Sequence, residues 1–173
     1  LKAMYSKNPI RESIAGDVED IEKINVDMLE KSYKSFYTYE NCVIIGCGDF
    51  NSESFFEQAE SLKLRNSNTV KHKINDSINK KEYTVNMTVN KPIYHIGFRD
   101  NIKNSILDRI CITNIIMNLL FSPSSMLYNK LYDNKLIDNS FSFEVLQGID
   151  YGGAIIKGED GNYNKIIDET LSE

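Results

Sequence analysis

Tryptophan is missing from the 173 residues, histidine occurs twice, and cysteine and proline three times each. Each shortage closes a route. Neither of the two histidines, His72 and His95, reads as a metal ligand. His72 falls in a polar connector, and His95 has no Asp, Glu or Cys at ligand spacing. Three cysteines cannot all pair, and no signal-peptide pattern is present, so a reducing, cytoplasmic setting is expected. Lysine and arginine are not clustered. The longest basic run is Lys80-Lys81 and the net charge is −5, which argues against a nucleic-acid partner. No apolar run is long enough for a membrane span, since Ile110 to Phe121 is short and carries Asn114 and Asn118. Leu1 is not a natural start, so the sequence reads as an excerpt of a longer protein. The Asn-x-Ser/Thr triplets at Asn75 and Asn86 follow from an asparagine-rich composition rather than from glycosylation.

What is present is 41% hydrophobic residues, enough for a core. Residues 17–37 carry helical spacing interrupted at Asn25, which can cap a second helix. Residues 42–47 read as a short strand buried on both faces, and 52–64 as an amphipathic helix. A polar stretch, 65–81, precedes two alternating segments, Tyr83/Val85/Met87/Val89 and Tyr94/Ile96/Phe98, expected to pair antiparallel across Asn90-Lys91-Pro92. Residues 102–121 predict a central helix, apolar over most of its circumference. A second helix follows, with Ser122 as its cap and Pro123 in its first turn. Residues 140–147 and 151–157 predict an antiparallel pair, and 163–171 a closing helix. This order predicts an α+β two-layer sandwich, a mainly antiparallel sheet with helices on one face.

Chemistry-bearing patterns are few. The segment CVIIGCGDFN (42–51) starts like a dinucleotide fingerprint, but Asn51 stands where the third glycine belongs and Asp49 sets a carboxylate in the phosphate position. It reads as scaffold, with Asn51 or Ser52 capping the next helix. Cys42 and Cys47 lie five apart on the expected strand and face opposite ways; Cys111 reads as a small core residue. Ser124-Ser125 lacks a nucleophile elbow, and Asp17, Glu19, Asp20 and Glu22 read as a helix N-terminus. Motif chemistry therefore assigns this chain no catalytic residue, no metal ligand and no cofactor.

Two longer stretches carry a resemblance. In residues 8–50, Asn8-Pro9, Gly16, Ile21, Ile24, Tyr33, Phe36-Tyr37, Asn41 and Gly48-Asp49 form one ordered pattern. In LLFSPSSMLYNKLYDNKLIDNSFSFE (119–144), Ser-Ser, Leu-Tyr, Lys-Leu-Tyr and Leu-Ile-Asp-x-Ser-Phe form another. Both resemble the M16 metallopeptidases, the insulinase, pitrilysin and processing-peptidase group, and look nearest to its two-subunit bacterial proteins.

The resemblance implies the family's second, non-zinc α+β domain, 39–173, preceded by a helical end of the foregoing domain or connector, 1–38. Zinc would sit in that preceding domain, on an inverted His-x-x-Glu-His motif that this sequence lacks. The implied partners are the preceding catalytic-type domain, a second M16-like half and a peptide substrate held in a closed chamber. The alternative is a structural or assembly subunit without peptidase activity. The Arg/Tyr pair with which many relatives hold substrate falls on Tyr132 and on Asp138 or Asn139. Those three positions are the expected substrate- or partner-facing residues, and Tyr39 and Cys42 replace the commoner Pro and Met around Asn41.

Overall fold

The computed structural model describes residues 1–62, 74, 76–100, 103–159 and 162–173. The chain divides into two units, Ile14–His72 and a larger one that joins Leu1–Ser13 to Lys73–Glu173.

The smaller unit holds helices α1 (Val18–Ile21), α2 (Val26–Phe36) and α3 (Ser52–Glu60). Asn25 caps α2 as its position predicts, accepting the Met28 amide at 3.0 Å. Asn51, rather than Ser52, caps α3, accepting the Ser54 amide at 2.9 Å. Glu19 and Asp20 fill the first turn of α1, where carboxylates complement the helix dipole. Residues 42–47 are a correction. They form no strand, and Val43 and Ile45 are each 85% exposed. An apolar run supplies only one side of a ladder, and the described residues of this unit contain no strand to supply the other. The glycine turn behind them is aromatic scaffold. A Cβ on Gly46 would meet the Phe50 ring at 2.6 Å, and Phe50 packs on Phe55 with centroids 5.2 Å apart.

The larger unit is built on β1 (Ile93–Arg99), β2 (Ser142–Gln147) and β3 (Gly152–Glu159), antiparallel in the order β1-β3-β2. The period-two pattern fixes which face is buried: Ile96 pairs with Ile156 and Val145 with Ala154. Helices α4 (Ile106–Phe121), α5 (Met126–Asp133) and α6 (Tyr163–Ser172) cover that face. Their Met117, Phe121, Leu127, Leu131 and Ile166 close the core over Tyr94, Ile96, Ala154 and Ile156. The result is the α+β architecture expected, an antiparallel sheet with helices on one side.

Three local expectations change. Residues 83–89 form no strand, and Tyr83, Val85, Met87 and Val89 are exposed; β1 pairs instead with β3, whose small Ala154 and Gly158 leave room for the large side chains of β1. Helix α4 starts at Ile106, capped by Ser105, and buries one stripe only. Arg109, Met117 and Phe121 face the core, while Ile112, Ile115, Ile116 and Leu119 lie exposed. Ser122 ends α4 instead of opening α5, because proline after it holds Ser122 extended (φ −73°, ψ 152°). The N-cap of α5 is Ser125, which accepts the Tyr128 amide at 3.0 Å.

One polar cluster is enclosed. Arg109, 4% exposed, donates to the Gly148 carbonyl at 2.5 Å and the Tyr151 carbonyl at 3.3 Å, and lies 3.5 Å from Asp100. Gln147 donates to Asp100 and to Thr113, both at 3.1 Å. This network holds the turn between β2 and β3 against α4. Backbone geometry tightens the same place: Gly153 has φ +155°, and a Cβ there would fall 2.1 Å from the Phe98 carbonyl oxygen.

Candidate substrate- or partner-facing cleft

The larger unit carries a cleft of about 510 Å³ where α5 ends. Its construction begins in the core. Leu131, fully buried, pins α5, so the next residue, Tyr132, points outward and is 45% exposed. The Tyr132 ring stacks on Tyr128 (centroids 6.1 Å, planes 12° apart), and Tyr128 meets Phe141 edge-on at 6.0 Å. The exposed phenol is thus held by an aromatic series rooted in the core.

The chain then leaves the helix through Lys135, a non-glycine residue in the left-handed region at φ 55°. The Lys135 amide donates to the Tyr132 carbonyl and the Leu136 amide to the Leu131 carbonyl, each at 2.9 Å, which closes the helix end. The turn returns Ile137 to the core, 5% exposed, and sets Asp138 on the cleft rim. Asp138 accepts the Ser140 amide at 2.8 Å and the Ser140 hydroxyl. These two bonds, the hydroxyl first, hold its carboxyl below the usual carboxylate range, with Lys91 adding to the effect. Tyr94 lies close enough to feel this charge. Its buried hydroxyl finds no hydrogen-bond partner among the described residues, and burial, reinforced by Asp138, pushes the phenol up to about 12.

The structure therefore brings Tyr132 and Asp138 to one cleft and leaves Asn139 outside its lining, exposed on the turn. Lys91, Lys135 and Glu159 also line it and were not singled out from sequence. With Asp133 and Asp138, the lining carries two cations and three carboxylates. So balanced a set suits the amides and mixed charges of a polypeptide better than a phosphate or a polyanion. A signal for Lys135 did exist, since it follows Asn134 at a helix end where a left-handed residue is expected. Replacing Lys135 by glycine removes the left-handed penalty and is expected to raise stability by about 1 kcal/mol in urea denaturation. An unchanged or lower midpoint would show that the lysine side chain itself supports the turn.

No zinc chemistry fits these residues. Among the described residues no three His, Cys, Asp or Glu side chains gather as a metal site. His95 lies opposite the core-facing side chains of β1, across from Lys157, and burial and that lysine both lower its pKa. His72 lies outside the described residues. Cys42 and Cys47 are exposed thiols, and so is Cys111, which corrects its reading as a core residue: it sits on the uncovered side of α4.

The family model described as "Peptidase M16 inactive domain" matches residues 23–173. The chain belongs to the M16 peptidase family, as an inactive-type domain. Over 99% of its length it is 26% identical to the uncharacterized zinc protease YmfH of Bacillus subtilis (strain 168), spanning 43% of that protein. The crystal structure of an M16-like peptidase from Alicyclobacillus acidocaldarius has the same fold, with a TM-score of 0.73 over 99% of this chain and 43% of the other, at 23% identity. This M16 domain thus spans less than half the length of the relatives it matches.

Proposed function

We propose that the chain is the supporting domain of an M16-type zinc metallopeptidase whose parent hydrolyses peptides or unfolded segments inside a closed chamber. The observation that carries this reading is the match to an inactive-type M16 domain; the cleft, with its exposed Tyr132 braced by Tyr128, is the surface we assign to polypeptide binding. In this reading zinc belongs to a preceding domain bearing the inverted His-x-x-Glu-His motif. Residues 1–38 lead from that domain, 39–173 form the supporting domain, and a second M16-like half completes the chamber in the cytoplasm. The cleft presents Tyr132 and the rim lysines to a polypeptide and performs no bond-breaking step itself.

In the full-length parent, Tyr132→Ala is expected to lower kcat/KM on a quenched-fluorescence peptide by about tenfold, since one lost hydrogen bond or stacking contact is worth about 1–1.5 kcal/mol. Asn139→Ala should leave it unchanged. Equal, negligible effects of both would remove the cleft from substrate handling.

A second reading, an assembly subunit without peptidase activity, is favoured by the replacement of the family's Arg/Tyr pair with Tyr132 and Asp138 or Asn139. The sequence of the preceding domain separates the two: an inverted zinc motif supports the peptidase, and its absence supports the assembly subunit.

A further inference from the structure

The N-terminal thirteen residues belong to the same unit as 73–173, although residues 14–72 intervene. Many of the bonds that hold them there converge on one side chain. Asp76 Oδ1 accepts the Ser6 amide at 3.0 Å, its neighbour Ser77's amide at 2.7 Å, and the Ser6 hydroxyl. Its Oδ2 accepts the amides of Lys7 at 2.9 Å and Asn8 at 2.6 Å. Three consecutive backbone amides on one carboxylate form a concave anion cradle, occupied here from within the chain.

Independent contacts continue on either side of that cradle. Tyr5, 1% exposed, donates its hydroxyl to the Gly152 carbonyl at 2.9 Å and accepts the Gly152 amide at 3.1 Å. The Arg99 guanidinium lies over the Tyr5 ring, 4.7 Å from its centroid, and donates to the Asp76 carbonyl at 3.0 Å. Met4 fills the space above Gly97, where a Cβ would meet its sulfur at 2.3 Å. The Ala3 carbonyl accepts the amides of Asn79 and Lys80 at 3.0 and 3.1 Å. On the return side, the Ile74 amide donates to Asp150 at 3.3 Å, whose backbone carbonyl accepts from Asn8 at 3.5 Å.

We infer that residues 1–13 are a strap and that Asp76 is its clasp, closing the chain on itself where it departs for residues 14–72 and where it comes back. Closure joins positions 68–70 residues apart in sequence, so the clasp opposes a large loop entropy with charge-assisted bonds, the stronger kind. Burial alone would raise the Asp76 pKa. The Ser6 hydroxyl and the amides of Lys7, Asn8 and Ser6 outweigh it and hold the carboxyl ionised well below the usual carboxylate range.

Amide hydrogen exchange on the intact chain tests the clasp, with the exposed residues 83–89 as an internal reference. The amides of Ser6, Lys7 and Asn8 are expected to exchange at least about tenfold more slowly than that reference. In Asp76→Ala their exchange should speed up to the reference rate while Ile156 in β3 keeps its protection. Asp76→Asn, which retains one acceptor oxygen without the charge, should lie between. If these amides exchange like residues 83–89 in the unaltered protein, or keep their protection in Asp76→Ala, there is no clasp. The unaltered protein alone decides the matter should Asp76→Ala fail to fold. The readout uses no peptidase activity, so its failure is distinct from failure of the functional reading.

Discussion

Arg109→Ala is expected to destabilise the larger unit by about 3–5 kcal/mol, the cost of leaving one side of a buried charged network unpaired. The guanidinium is 3% exposed, and its loss removes the charged donor from the carbonyls of Gly148 and Tyr151 and from Asp100, itself only 20% exposed, leaving Asp100 to Gln147 and the Tyr151 carbonyl to the Gly148 amide. Against a total stability of about 5–15 kcal/mol for a domain, that loss is severe. Arg109→Lys separates charge from geometry. One ammonium keeps the charge near Asp100 but lacks the fork that reaches two carbonyls, so an intermediate loss is expected in urea denaturation. A loss below about 1 kcal/mol for the alanine variant would mean that the network is solvated and that α4 does not depend on it.

Leu131→Ala should cost about 2–5 kcal/mol and act on the cleft as well as on stability. Leu131 has no exposed surface and lies within the cluster formed by Phe121, Leu127, Ile156 and Ile166. Its carbonyl also accepts the Leu136 amide that closes α5, and Tyr132 follows it directly. The cavity left by alanine loosens the floor under both. The expected result is a lower denaturation midpoint together with faster exchange of the Leu136 amide. A stable variant with unchanged exchange at Leu136 would show that the helix end is set by the turn at Lys135 alone.

How far the sequence reaches depends on where the deciding interaction lies. Local chemistry was legible: Asn25 and Asn51 cap their helices because a short side-chain oxygen can reach the amide three residues on. The buried face of β1 was legible too, because Tyr94, Ile96 and Phe98 alternate with polar or small residues. Partner choice was not. Alternation in residues 83–89 and an apolar run at 42–47 both mark strand-compatible segments, but a strand exists only where a second one supplies its hydrogen bonds. The same limit applies to α4. Its hydrophobic circumference says nothing about which stripe is covered, and a buried Arg109 amid isoleucines has no signature in composition. At the cleft, Tyr132 and Asp138 came from resemblance, whereas Lys91 and Glu159 are brought there by tertiary folding from positions 68 residues apart.

The central proposal is that this domain supports peptide hydrolysis without supplying metal or catalytic groups. Its most direct test is metal content and peptide turnover measured on the isolated chain and, in parallel, on the full-length parent. The account predicts no stoichiometric zinc and no cleavage by the isolated chain, with both present in the parent. One zinc bound per isolated chain, accompanied by peptide cleavage, would contradict it.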